Sequence, residues 1–468
     1  MKTGTRRDTL LPTSVSTSWL FWITFCFGCF LALYTPHKLW AEAAQRIDLQ
    51  GPSLGAYSVY CLGALAGLMG LRWCILIVLS YASMVRREQQ PGLQDGDASL
   101  PFVSILAPAY NEAACVTDAL IALVGLDYPA YEVIFVDDGS TDSTYKLALP
   151  FAGTHRSRHG MCDVRVFTKP NGGKWSAHNF GLRHAKGELV LCIDADSRIE
   201  GGSLRLMVRH MRDRRVGAVS GQIRVRNRKS LLGLFQAFEY VLANGALRLS
   251  QGATGVVMVV PGPIGLFRRE ALDRVEAENE RAGGFENQEM SGPFSPLTFA
   301  EDFHLSLTVL ALGYRVEYEP HAIAHTKAPA TLAGLVNQRY RWNRGTMQVI
   351  LWFVRRTLRG DKSPLCIKAW VATAFLLDFF CFPPLYFVLL ASSLLYLLHG
   401  GNLSSLASWA TAACLANVMS GSLYAVAHRD RVTLALLSPF FDFYQGILLN
   451  CAWFIATLDQ ARGARMRW

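Results

Sequence analysis

The stretch ELVLCIDADS, Glu188 to Ser197, is an apolar run of strand length closed by two aspartates spaced two apart. In an extended chain alternate side chains point the same way, so Asp194 and Asp196 leave such a strand aimed to one side. FVSILAPAY (102–110), YEVIFVDDGS (131–140) and VRVFTK (164–169) are further short β-rich runs, and the second also ends in acids, Asp137 and Asp138. A helical segment, Val116 to Gly125, joins the first two. GKWSAHNFGLRHAKG (173–187) is a second helix, with Gly187 as its expected end. Alternation of this kind predicts a doubly wound α/β sheet, and in such sheets ligands bind beyond the carboxyl ends of the strands.

Outward from this core the texture changes. Of 468 residues 51% are hydrophobic, too many for a soluble chain, and they crowd toward both ends. Ser18 to Tyr34 is one candidate span, near the ~20 residues a bilayer core requires. Its run lacks a small-residue cleavage site, so we expect a retained span and not a cleaved signal. Gly55 to Met84 holds a second, interrupted by Arg72. Either Arg72 faces the protein interior, or the span ends there and Trp73 to Met84 lies in the interface. Three more apolar blocks follow the core: Ile367 to Leu398, with Pro383-Pro384 inside it, Leu403 to Ala427, and Val432 to Leu458. The expected organisation is residues 1–90 with two spans, 95–360 as a cytoplasmic catalytic domain, and 361–468 with three spans. Arg86-Arg87 and Arg355-Arg356 place the middle region in the cytoplasm by the positive-inside tendency. Three crossings after it would set the Arg-rich tail outside, against that tendency, and the parity stays open.

The formal charge of +10 comes without any nucleic-acid-binding motif, so nucleic acid is not an expected partner. Its placement beside apolar tracts suits anionic membrane lipids. Eleven cysteines, an odd number with no zinc-like spacing outside an apolar span, are expected to be reduced and structural.

Asp194 and Asp196 are hard oxygen donors that suit Mg²⁺ or Mn²⁺ carrying a substrate diphosphate. The alternative is a pair of solvated loop acids. Lys174 sits at a glycine-rich helix start, where backbone N–H groups and the ammonium favour an anion. Glu301-Asp302 opens a helix and is either an N-terminal cap or a general base; moving an activated sugar onto an alcohol needs a carboxylate to take the hydroxyl proton. In VNQRYRWNRGTMQVI (336–350), Gln338, Arg341 and Trp342 share one helical face. The plain alternative is an interfacial helix anchored by Trp342. Leu231 to Leu249 reads as one amphipathic helix. The histidines show no metal-ligand spacing.

VSILAPAYNE, VIFVDDGSTD, KPNGGKWSAHNFG, IDADS, AED and QRYRW occur here in the order found in processive family 2 glycosyltransferases, and the region Pro101 to Ile350 resembles that family. Its members include cellulose, hyaluronan, chitin-type and poly-N-acetylglucosamine synthases. The resemblance implies a GT-A-type nucleotide-sugar domain, with a mixed and mostly parallel sheet, inserted between transmembrane helices of a multi-pass cell-membrane protein. It implies that Tyr110, Glu112 and Asp138 hold the uridine of a UDP-sugar and that Lys174 lies near the diphosphate. Asp194 and Asp196 would position the donor and its Mg²⁺ or Mn²⁺, and Asp302 would be the base of an inverting displacement. Gln338, Trp342 and the Gly262-Pro263 pair would border the acceptor, with Arg341 near the leaving diphosphate. The implied activity extends and translocates a polysaccharide from UDP-N-acetylglucosamine, with UDP-glucose second. The alternative is a glycolipid synthase acting on a lipid such as diacylglycerol. Accessory export subunits are undefined. Two departures stand out: Ala300 replaces the family's threonine before Glu-Asp, and Ala277 to Thr298 is longer than usual.

Overall fold

The computed structural model describes residues 13–50, 54–88, 100–281, 291–296, 298–361, 363–398 and 403–464. Nine strands form one sheet: β1 Val103–Ala109, β2 Ala130–Asp137, β3 Gly153–Arg156, β4 Met161–Thr168, β5 Leu189–Cys192, β6 Arg198–Ile199, β7 Val216–Val225, β8 Gly265–Arg268 and β9 Arg315–Thr326. Their order is β3-β4-β2-β1-β5-β8-β7-β9-β6. The segment β4-β2-β1-β5 is parallel throughout. Antiparallel β8 joins it to a parallel β7–β9 pair. β1 is buried along its whole length and β2 nearly so, as expected for strands covered by helices on both faces.

Register sets up the site. Ala109 is level with Asp137, and Asp137 with Thr168. Three strands therefore end together, and the residues that follow them form one rim. Because the chain leaves β1 toward β2 on one side and pairs with β5 on the other, this rim lies at the switch point where a ligand crevice opens.

Two helix expectations need correction. The helix after the glycine loop is Lys174–His184, and Ala185 is already extended. The buried Glu132 carboxylate accepts from the Lys186 N–H at 2.8 Å, and Ser104 Oγ accepts from the Gly187 N–H at 2.7 Å. Those side chains draw the backbone out of the helix and into β5. Leu231 to Leu249 is likewise not one helix: Leu231–Glu239 passes through a π-helical turn, Tyr240–Gly245, into Ala246–Thr254.

The chain divides into two compact units. The larger holds the sheet, the helix Leu332–Leu358 and the C-terminal helix Asn450–Ala461. Within it, Tyr340 donates to Asp459 at 2.7 Å, and Arg344 donates to the Ala464 carbonyl at 2.8 Å. The start of the C-terminal tail is thereby fixed on the same helix as Gln338 and Trp342. The smaller unit holds Thr13–Gln50, Leu54–Glu88 and Leu403–Ala427. Both N-terminal helices outrun their apolar runs; the first continues through Pro36, and the second passes Arg72 unbroken. So the chain does not stop at Arg72, which is half-buried. Trp73 donates to Ser420 at 2.7 Å, and Ser80 lies 3.2 Å from the Tyr424 hydroxyl, polar links suited to a helix pair in an apolar medium. Among the described residues four helices are long and apolar enough to cross a membrane, or five if the bent pair Val432–Phe441 and Tyr444–Ala461 is one span.

Candidate active site

The rim is built from three loops that hold each other. After β1, Asn111 adopts the left-handed conformation at φ 56°. An asparagine tolerates that region because its side chain bonds locally. Its Oδ1 accepts from the Thr141 and Asp142 N–H groups at 2.8 and 3.3 Å, which pins Tyr110–Glu112 to the loop after β2. Tyr110 is exposed at the crevice edge. After β2, the buried Asp138 carboxylate takes the Lys169 ammonium at 2.6 Å and the N–H groups of Gly172 and Gly173 at 3.1 and 2.8 Å. Asp138 thus organises the glycine loop, a duty its place in the motif did not disclose.

That loop delivers Lys174 to the centre. Its ammonium lies 2.6 Å from Asp194 Oδ1 and 3.6 Å from Glu301 Oε1. Burial opposes its charge, but Asp194, Glu301 and Asp302 outweigh this and hold it well above the ordinary lysine range. Gly262 makes this geometry possible. A Cβ there would stand 2.4 Å from Lys174 Nζ and 3.1 Å from Asp194 Oδ1, so a larger residue would push the pair out of this position. The Gly262 N–H also serves the Asp302 carboxylate. Pro263, next to it, is half-buried.

Glu301 and Asp302 begin the helix Glu301–Ala311, whose N-cap position is Ala300. Asp302 Oδ1 accepts from the Phe303 N–H at 2.8 Å. Burial raises both carboxyls above their usual range, with Lys174 opposing. A narrow cavity of ≈ 10 Å³ adjoins them, lined among others by Lys174, His178, Gly262 and Phe294. His178 stacks on Phe294 at 4.5 Å between ring centroids. Burial and Lys174 keep its imidazole neutral by pushing its pKa far down. Phe294 belongs to the long segment Ala277 to Thr298. Part of that segment, 282–290, lies outside the described residues; the part after it returns to wall the site. Asn179 clamps it there, donating to the Phe294 carbonyl at 3.0 Å and accepting from the Phe294 N–H at 3.1 Å.

A divalent cation fits beside Asp194. Burial and the Asp194 charge raise the Asp196 carboxyl. Burial, Asp196 and Asp194 push Glu112 up to about 7, with Lys327 opposing. Among the described residues no group of three or more His, Cys, Asp or Glu is placed to hold a metal ion. Mg²⁺ does not need one, because it takes one or two carboxylates and completes its shell with water and substrate phosphate.

The helix Leu332–Leu358 packs against the loop that leads into Glu301. A Cβ on Gly345 would lie 2.7 Å from the Ala300 nitrogen and 2.8 Å from its Cβ, so helix and catalytic loop touch. Arg341 and Trp342 precede Gly345 by four and three residues and share its face, as does Gln338. Arg341 and Trp342 are exposed. Arg341 has no ion pair among the described residues, and the structure brings it into no contact with Asp194. The missing threonine at Ala300 has a substitute: Thr298 Oγ1 accepts from the Ala300 N–H at 3.2 Å and donates to the Gly345 carbonyl at 3.4 Å.

Residues 104–276 match the family described as glycosyl transferase family 2. The chain carries a family 2 glycosyltransferase domain. It is 32% identical over 266 residues to the poly-beta-1,6-N-acetyl-D-glucosamine synthase of Staphylococcus epidermidis, covering 57% of this chain and 59% of that one. The same-named synthase of Staphylococcus aureus strain COL is 31% identical over 269 residues, 57% and 60% of the two chains. The matched region thus spans about three fifths of these relatives. Mannosyltransferase PcManGT from Pyrobaculum calidifontis, solved with GDP-Man and Mn²⁺, superposes with a TM-score of 0.52 at 22% identity over 84% of this chain and 99% of its own. That likeness shows the glycosyltransferase domain to have the GT-A-like α/β fold, here flanked by apolar helices. The residues unforeseen in the domain are Asn111, His178, Phe294 and Gly345. In the sequence Asn111 alone carried a signal, since asparagine is enriched at left-handed turns.

Proposed function

We propose that the chain is a membrane-embedded inverting β-glycosyltransferase that uses UDP-N-acetylglucosamine to extend a polysaccharide and passes it through its own spans. The observation that carries this reading is the Lys174 ammonium, 2.6 Å from Asp194 and 3.6 Å from Glu301, which ties the donor side to the acceptor side. The similarity to poly-β-1,6-N-acetylglucosamine synthases supports that choice of sugar.

In this mechanism Tyr110 and Glu112 border the uridine, and Asp138 shapes the loop beneath the diphosphate. Asp194 and Asp196 would hold Mg²⁺ or Mn²⁺, which offsets charge on the diphosphate. Asp302 takes the proton of the acceptor hydroxyl as the new C1–O bond forms, and the diphosphate departs from the opposite face. Its raised pKa makes it a stronger base than a surface aspartate. Gln338 and Trp342 receive the acceptor, with the indole face against the sugar's C–H face; Gly262 and Pro263 floor this end. Arg341 is free to meet pyrophosphate once it is present.

The glycosyltransferase domain is cytoplasmic in this reading. Because Arg344 holds Ala464, the end of the last helix stays on the domain's side, which favours two crossings after the domain and a re-entrant final pair. The test offers the full chain in nanodiscs UDP-N-acetylglucosamine or UDP-glucose and sizes the product. UDP release with the former and a product that lengthens with time are expected. One sugar on diacylglycerol would replace this reading with glycolipid synthesis, and no UDP release from either donor would overturn it.

A further inference from the structure

Of the arginines in QRYRW, the buried one is Arg339. Its guanidinium is held from several sides. It donates to Glu239 Oε2 at 2.7 Å, to Gln338 Oε1 at 2.6 Å, and lies over the Trp342 ring 4.3 Å from the centroid. Glu239, at the end of Leu231–Glu239, is fixed in turn by the Tyr444 hydroxyl, which donates to it at 2.7 Å. Tyr444 stacks on Phe235 at 5.3 Å. A planar cation is therefore locked on two sides before it reaches the indole.

Two consequences follow for the acceptor end. With one face of Trp342 covered by the guanidinium, a sugar can stack on the opposite face alone. With Gln338 Oε1 taken by a group that can only donate, the Gln338 amide has its N–H groups left for a ligand. Its Nε2 can then donate to an oxygen of the acceptor, while Oε1, held by Arg339, fixes which way the amide faces.

We propose that Arg339, held by Glu239, is a positioning residue that seats Trp342 and orients Gln338 for the acceptor glycan. This rests on the reading of Gln338 and Trp342 as acceptor contacts. A plain structural tie between Leu231–Glu239 and Leu332–Leu358 makes a different prediction, because such a tie has no reason to separate acceptor from donor.

The experiment measures equilibrium binding of a short β-1,6-linked N-acetylglucosamine oligosaccharide, and separately of UDP, to the full chain in detergent. Arg339→Met removes the cation. Arg339→Lys keeps a charge for Glu239 but loses the plane over Trp342 and the fork to Gln338, so it guards against a folding defect. Both variants should weaken the oligosaccharide about tenfold, the scale of one desolvated cation–π contact, and leave UDP binding unchanged. Added to a chain carrying Gln338→Leu and Trp342→Leu, either should have no further effect. Equal weakening of both ligands, unchanged oligosaccharide binding, or the same factor in both backgrounds would overturn the positioning role. If Gln338→Leu with Trp342→Leu alone leaves the oligosaccharide bound as in wild type, the acceptor reading itself is lost.

Discussion

Gly345→Ala tests the contact on which the site's assembly depends. The added methyl would meet the Ala300 nitrogen at 2.7 Å, its Cβ at 2.8 Å and the Phe299 carbonyl carbon at 3.0 Å. Ordinary carbon contacts need ~3.5–4.0 Å, so helix and loop must part by roughly 1 Å. None of the three atoms is a flexible side-chain end, so the loop that leads into Glu301 and Asp302 has to move as a body. Overpacking of this kind costs ~1–3 kcal/mol. Alanine in place of a helical glycine returns ~1 kcal/mol, leaving a net loss of ~0–2 kcal/mol, small enough for the chain to fold. A displacement of ~1 Å between base and acceptor lowers turnover ~10²-fold. The expected result is therefore a stable enzyme with the wild-type KM for UDP-sugar and kcat reduced by about two orders of magnitude, read as UDP release in nanodiscs. Gly334→Ala on the same helix is the control. Its methyl meets the Thr331 hydroxyl at 3.1 Å, away from the base, and should leave kcat unchanged. Wild-type turnover in Gly345→Ala would refute the idea that this contact sets the base.

Asp302→Asn keeps the shape and removes the proton acceptor, so transfer should fall by at least ~10²-fold while UDP binding stays the same. An active Asn variant returns Asp302 to a helix-start role. Asp196→Ala should abolish turnover without loss of folding, and EDTA should do so reversibly, with Mg²⁺ or Mn²⁺ restoring it; full activity in EDTA removes the metal from the scheme. His304, buried beside Trp352 and faced by Arg356, is pushed from 6.5 down to about 4. The unfolded chain therefore gains a proton near 6.5 that the folded chain refuses until about 4. Stability from this group is full above pH 6.5 and falls by about 3 kcal/mol as pH drops to 4. As pH drops from 6.5 toward 4 the thermal midpoint of wild type should fall relative to that of His304→Phe, which has no such proton to refuse; parallel curves would contradict this.

The strand ends were legible because burial on both faces forces continuous apolar runs, and acids after such runs have nowhere to go but the rim. Asp194, Asp196 and the start of the helix at Glu301 follow from that logic. Asp138 was found at its place but not in its whole duty, since a motif gives residue type and not which neighbouring loop claims its oxygens. The end of the helix after Lys174 was overrun because the competing acceptors, Ser104 and Glu132, are distant in sequence. Phe294 was hidden inside a segment whose composition names no partner at all.

Helical spacing showed correctly that Gln338, Arg341 and Trp342 share a face, and Gly345 on that face touches Ala300. It could not tell which arginine the fold would bury. Arg339 lies on an adjacent side of the helix and became the structural cation because Glu239 and Tyr444 approach from there. Arg341 was left exposed on the catalytic side. The division matters chemically: a guanidinium already bonded to Glu239 cannot also answer a transient diphosphate, whereas an unpaired one can. On the proposed reading, a single stretch would supply one arginine to hold the acceptor contacts in place and another for the leaving group. Sequence spacing alone could not have assigned those two duties.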